Sequence, residues 1–133
     1  MTATPLTSGP QAPLFDRVGG MDFFTKLVED FYGEVERSLV LRAMYPEDLA
    51  EAKAHLALFL AQYFGGPADY QAVRGHPRLR MRHSPYVIDV TARDAWLAAM
   101  LHAVAVSTAG VAERGELVSY FDASAHSLQN AEG

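Results

Sequence analysis

Pro77 and Pro85 constrain the middle of this chain more than any other feature. Each steers the residue before it, His76 and Ser84, away from helical backbone angles. What fits between them is about two turns of helix, from Arg78 to His83, a length marginal for a free helix in water. Something other than propensity must hold it. Within the run, Leu79 and Met81 are apolar, Arg78, Arg80 and Arg82 are basic, and His83 closes it. A short pinned turn ending in one imidazole, beside an arginine and a methionine, suits an axial ligand facing a flat, anionic cofactor. The plainer reading is a surface histidine, one of five in the chain, beside a solvated or phosphate-binding basic face. The flanking segments decide between them.

From Met21 to about Arg37 the apolar positions Phe24, Leu27, Val28, Phe31, Tyr32 and Val35 recur at helical spacing and form a wide stripe. Tyr32 lies on that stripe, either as packing with its hydroxyl satisfied at the edge or as a hydroxyl turned into a pocket. Ahead of it, Leu14, Phe15 and Val18 make one short apolar turn, ended by Gly19-Gly20. After it, Leu39 to Met44 is short and apolar, and Pro46 places Tyr45 at a corner. Proline favours the first turn of the next helix, and Glu47-Asp48 suit a helix N-terminus. That helix is expected to present Leu49, Ala52, Leu56, Phe59, Leu60 and Tyr63 on one face and to stop at Phe64-Gly65-Gly66-Pro67.

Beyond the proline-bounded run, Thr91-Ala92-Arg93-Asp94 reads as a variant capping box. The helix it opens carries Trp96, Met100, Ala103 and Val104 in one stripe, with Leu97 and Leu101 beside it. Ser107 to Gly110 breaks the pattern. A last helix is expected from about Val111 to Asn130, facing inward with Leu117, Tyr120, Phe121, Ser124, Ala125 and Leu128. There is no strand alternation and no internal repeat, so the fold class is all-α.

Length and composition bound the rest. At 133 residues the chain reads as one domain, with residues 1–13, rich in Thr, Ser, Pro and Gly, as a flexible tail ahead of a 14–133 domain. Half the residues are hydrophobic, enough for a sizeable core. A net charge of −5 argues against a general nucleic-acid binder, and the basic run at 74–82 stands out against it. The absence of cysteine excludes disulfides, Cys-zinc sites, thiolate-ligated iron and covalent c-type haem attachment. No apolar run reaches membrane-span length and residues 1–13 lack the parts of a signal peptide, so a cytoplasmic protein is expected.

Tyr32, Tyr45 and Trp96 are three aromatic residues with a hydrogen-bond donor, each in or beside a core stripe. The middle helix offers only Ala52, Leu56, Phe59 and Leu60 to the same space. An apolar slot with a few donors and one imidazole describes a haem site with a hydrogen-bonding distal side.

Taken together, Gly19-Gly20, Phe31-Tyr32, Tyr45-Pro46-Glu47-Asp48, Phe59 to Pro67, Arg74 to Tyr86 and Arg93-Asp94-Ala95-Trp96-Leu97 resemble the group II (O-type) truncated haemoglobins. The resemblance covers roughly residues 14–130, in one order and without large gaps. It implies a two-over-two helical sandwich around haem b, with His83 as the proximal iron ligand. Tyr32, Tyr45 and Trp96 match the family's distal polar cluster. Phe31, Ala52, Leu56, Phe59, Leu60, Met81 and Tyr86 fall on the haem pocket, and Arg82, Arg80 and His55 are candidates for the haem propionates. For Arg80 a solvated basic face is an equal alternative. Ala52 stands where many globins carry a distal His or Gln, which argues against functions that need a distal imidazole. Phe64 departs from the family's frequent tryptophan before Gly-Gly-Pro.

The resemblance implies reversible binding of dioxygen, and of NO and CO, for oxygen storage, scavenging or transport, by a monomer or homodimer. The alternative is a redox enzyme using the same haem, for nitric oxide dioxygenation or peroxidase-like chemistry. No reductase domain is fused, so that chemistry needs a separate electron donor. A non-haem helical interaction module is the third reading and requires the matched positions to be coincidental.

Overall fold

The computed structural model describes residues 12–66 and 89–128. Among them there is no strand, and the helices are α1 (Leu14–Val18), α2 (Met21–Arg37), α3 (Leu39–Arg42), α4 (Ala50–Tyr63), α5 (Val90–Ala105) and α6 (Val111–Leu128). α2 packs along α4, α5 packs along α6, and α2 crosses onto α5, so two helix pairs lie one over the other. The fold is that of a two-over-two helical sandwich.

The stripe of α2 is buried as its spacing requires: Phe24, Leu27, Val28, Phe31, Tyr32 and Val35 all sit in the core, joined by Phe23. α1 is stopped by Gly19, at φ +105°, followed by Gly20 at φ +83°, angles that side chains with a Cβ adopt only under strain. α4 ends in the same way at Gly65, φ +106°. There the chain comes close to its own start. A Cβ on Gly65 would lie 2.5 Å from Pro13, and one on Gly66 would lie 2.6 Å from the Phe15 ring. The Phe15 amide donates to the Phe64 carbonyl at 2.9 Å. Arg17 adds a second tie, donating to Glu113 at 3.0 Å and Glu116 at 2.8 Å on α6, and to the Ala12 carbonyl at 2.8 Å.

Several boundaries differ from expectation. α4 begins at Ala50, so Pro46, Glu47 and Asp48 precede it, and Asp48 instead caps it by accepting from the Ala50 amide at 2.9 Å. α5 begins at Val90 and its cap is Asp89, which accepts from the Ala92 amide at 2.9 Å; Thr91 lies inside the first turn. In both, a short acidic side chain ahead of the helix accepts from an amide of its first turn, Asp89 as the cap residue of α5 and Asp48 from one position before Leu49, the cap residue of α4. On α4 the buried residues are Ala57, Phe59, Leu60 and Ala61, whereas Tyr63, expected on the inner face, is 57% exposed. It is the helix's last residue, and its ring lies against Phe64 and Tyr120 rather than in the core. Leu39, in the short apolar α3, is 93% exposed; only Leu41 of that helix reaches the core. On α6, Leu117, Phe121 and Ala125 are buried and Tyr120 and Ser124 half-buried.

Candidate functional site

The donor-bearing aromatics meet at the C-terminal half of α2. Helical spacing puts Phe31 and Tyr32 on the inner face of α2, with their rings edge-to-face at 4.9 Å. α5 brings Trp96 onto Phe31 at 5.9 Å and 67°, and the corner between α3 and α4 brings Tyr45 onto Tyr32 at 5.4 Å and 82°. Such geometries match the preferred arrangement of ring quadrupoles. Trp96 is 5% exposed and Tyr32 3%, while Tyr45 is half-buried. Three elements distant in sequence thus place three donors in one contiguous cluster.

Burial, then the proximity of Tyr45, then a hydrogen bond to Tyr45 push the Tyr32 hydroxyl far up from its ordinary value of 10.0. The two hydroxyls are thus hydrogen-bond partners. The Tyr32 phenol therefore stays protonated near neutral pH.

Arg42 holds the corner that carries Tyr45. Its guanidinium donates to the carbonyls of Tyr45 at 3.3 Å, Pro46 at 3.0 Å and Glu47 at 2.8 Å. Sequence reasoning passed over this residue. Its only signal was an arginine one turn ahead of a proline corner, and that pattern does not say where the guanidinium reaches.

α4 supplies the apolar wall. Phe59 and Leu60 are buried in the same core cluster as Phe31, Tyr32 and Trp96, whereas Ala52, Leu56 and Tyr45 pack against its edge and stay partly open. His55 is half-buried, with Nε2 4.0 Å from the Glu51 carboxylate one turn away. His102 and His126 are exposed, the first 3.5 Å from Glu34 and the second bonded to the Asp122 carbonyl. His83, Arg80, Arg82, Met81 and Tyr86 lie outside the described residues. Among the described residues, no three His, Cys, Asp or Glu side chains converge where a metal ion could be held, and no helix is long and apolar enough to cross a membrane.

The arrangement fits a flat apolar group with one polar, ligand-binding face. Ala52, Leu56 and Tyr45 would complete their burial against its surface, and neutral hydroxyl and indole donors are the set that stabilises partial negative charge without introducing a full one. A cleft of about 770 Å³ on the outer side of α2 and α4 is a different place: Met21, Val28, Glu29, Lys53 and Ala57 line it, and no site residue expected from the sequence does.

Comparison with known proteins shows the family and the fold. The family model described as bacterial-like globin matches residues 13–130. A group 2 truncated hemoglobin of Bacillus subtilis is 40% identical over 85 residues, covering 64% of this chain and 64% of that protein. The chain therefore spans just under two thirds of that relative. Among solved structures, the hemoglobin of the thermophilic phototrophic bacterium Chloroflexus aurantiacus superposes with a TM-score of 0.88 at 41% identity, covering 91% of this chain and 100% of the other. A truncated oxygen-avid haemoglobin from Bacillus subtilis superposes at 0.83 with 32% identity, covering 89% and 99%.

Proposed function

Because this chain belongs to the bacterial-like globins, as a group II truncated haemoglobin, it is a haem protein that binds gaseous ligands, and we propose that it binds dioxygen reversibly. The observation that carries the proposal is the donor cluster of Tyr32, Tyr45 and Trp96, joined through Phe31 in one buried core. The oxygen-avid relative supports the choice of ligand.

The cofactor we propose is haem b, which His83 would hold as the proximal ligand, as the family resemblance implies. Haem supplies, when bound, the iron at which a diatomic ligand is held and polarised. The remaining work belongs to side chains. Tyr45 and Trp96 donate to the ligand's outer atom, each well-made bond contributing roughly 1–3 kcal/mol. Tyr32 orients Tyr45 through their shared hydrogen bond, and Arg42 fixes the backbone of that corner. Carbon monoxide, with less charge on its outer atom, gains less from the same donors, and nitric oxide is a further ligand. Leu56 contributes no polar atom, so discrimination rests on the phenol and the indole. Phe31, Phe59, Leu60, Met81 and Tyr86 complete the pocket, with Arg82, Arg80 and His55 toward the propionates. We place the protein in the cytoplasm, as a monomer or homodimer.

Redox use of the same haem, with electrons from a separate reductase, is the second reading. A series of aromatic rings that leaves Trp96 for the surface and ends in two tyrosines favours it.

An absorption spectrum of the reduced protein, taken before and after exposure to air, tests the proposal. A Soret band shifting to a long-lived oxygenated form is expected, lost with the haem in His83→Ala. A protein that takes up no haemin, or an alanine variant with unchanged spectra, would refute the haem reading or the proximal assignment respectively.

A further inference from the structure

The aromatic contacts continue past the donor cluster. Trp96 meets Phe121 at 6.1 Å, Phe121 meets Tyr120 at 5.3 Å, and Tyr120 meets Tyr63 at 4.4 Å with the planes tilted by 35°. Burial falls along the series: Phe121 is fully enclosed, Tyr120 is half-buried, and Tyr63 stands mostly in solvent. The rings therefore lead from the proposed ligand pocket, through α5 and α6, to the end of α4 at the surface.

Core packing accounts for Trp96 and Phe121. It accounts less well for the outer end, where an exposed tyrosine lies ring to ring on a second tyrosine. The residue types also matter. In a chain without cysteine, tryptophan and tyrosine are the side chains that most readily give up one electron, and Trp96 is the single tryptophan. Phe121 is hard to oxidise and serves as a bridge. Tyr120 shares a hydrogen bond with Ser124, and burial, the larger influence, pushes its phenol up to about 12, so it enters any reaction protonated.

We propose that Trp96, Phe121, Tyr120 and Tyr63 form an exit route for oxidising equivalents, and that Tyr63 and Tyr120 are a site of oxidative self-modification joined by a carbon–carbon bond. The inference rests on the haem reading, because the oxidant, hydrogen peroxide, is reduced in that pocket. The balance closes. One peroxide takes up two electrons and two protons and leaves as two waters. Each tyrosine gives one electron through Phe121 and Trp96 and loses its phenolic proton toward the solvent side. The two rings then couple through carbons ortho to their oxygens, and the two ring protons move onto those oxygens to restore both phenols.

The other tyrosine pair is a poorer candidate. Tyr32 and Tyr45 stand nearly perpendicular at 5.4 Å, and Tyr32 is buried and hydrogen-bonded to Tyr45. Tyr63 has direct access to water, and its ring is closer and more nearly parallel to its partner's.

The test is to load the protein with haem, confirm the Soret band, add one equivalent of hydrogen peroxide, and digest for mass spectrometry. The expected product is a monomer whose Tyr63 and Tyr120 peptides are joined and lighter by two hydrogen atoms, with dityrosine fluorescence. Tyr63→Phe and Tyr120→Phe should each lose it while keeping the haem spectrum. Trp96→Phe, which keeps a packed ring, and Phe121→Leu should slow its formation with both tyrosines intact. A protein without a Soret band defeats the haem reading. A haem-loaded protein that consumes peroxide yet links other tyrosines, links only between molecules, or forms no link overturns this inference. A link formed at an unchanged rate in both Trp96→Phe and Phe121→Leu overturns the route.

Discussion

The two ends of α2 are both packed with aromatic rings, and the rings differ in kind. Near its start, Phe15 and Phe64 stack on Phe24 at 6.1 and 5.9 Å, and Phe23 meets it edge-on at 5.2 Å. None of these side chains carries a polar atom. Near its end, rings of similar size and spacing carry two hydroxyls and an indole N–H. An apolar ring enters a core at no cost beyond ordering, whereas a buried hydroxyl must find a partner. The first end is what a fold needs in order to close. The second holds donors that closure alone would not require, and a chain of edge-to-face contacts keeps them in one place.

The comparison separates stability from ligand chemistry, and substitutions can break it. The largest effect belongs to the dry end. Phe24 is fully buried among three other rings, so Phe24→Ala should cost about 3–5 kcal/mol of stability. Denaturant unfolding would measure it. Oxygen release from the protein that remains folded should be close to the native rate. A large change in release with little loss of stability would show that the two ends are not separable.

Trp96→Phe is the converse experiment. The ring that meets Phe31 and Phe121 is kept in reduced form, while the indole donor is lost. A lost bond of 1–3 kcal/mol corresponds to oxygen release roughly 5- to 150-fold faster. Stopped-flow displacement would read it, alongside a stability change well below that of Phe24→Ala. An unchanged release rate would remove Trp96 from the donor set and return it to the packing role of the first end.

The dry end was also the more legible one in the sequence. Phe24, Leu27, Val28 and Phe31 recur at helical period, and apolar residues at that spacing leave one option, burial. Tyr32, Tyr45 and Trp96 were legible as a set of donors, but not their contacts with one another. That the two tyrosines meet depends on where the α3–α4 corner passes, and the three carbonyls held by Arg42 fix that path without any motif announcing it. Tyr63 continues the spacing of Phe59 by one helical turn and is nevertheless exposed, because at the last residue of α4 it is Phe64, one position on, that turns onto Phe24. The caps at Asp48 and Asp89 show a similar limit. Several short polar side chains compete for one set of orphan amides, and tertiary position selects among them.

The smallest effect tests the hydrogen bond inside the donor cluster. Tyr32→Phe keeps the ring and removes the bond to Tyr45, so near neutral pH it should cost about 0.5–1.5 kcal/mol and leave Tyr45 less well aimed. The pH dependence distinguishes this from a packing change. In the folded protein, burial and then Tyr45 raise the Tyr32 pKa above its ordinary value of 10.0, so the unfolded chain ionises there first. The contribution of Tyr32 is fully present below pH 10.0 and is lost as pH rises above it, since the folded state retains a proton that the unfolded state releases. The Phe variant has no such group at this position. Native and variant stability, measured by denaturant unfolding from pH 7 upward, should therefore differ at neutral pH and converge in the alkaline range. Parallel curves would mean that Tyr32 ionises alike in both states, and the hydroxyl would then lie outside the buried pair that sets the donor-bearing end of α2 apart from the other.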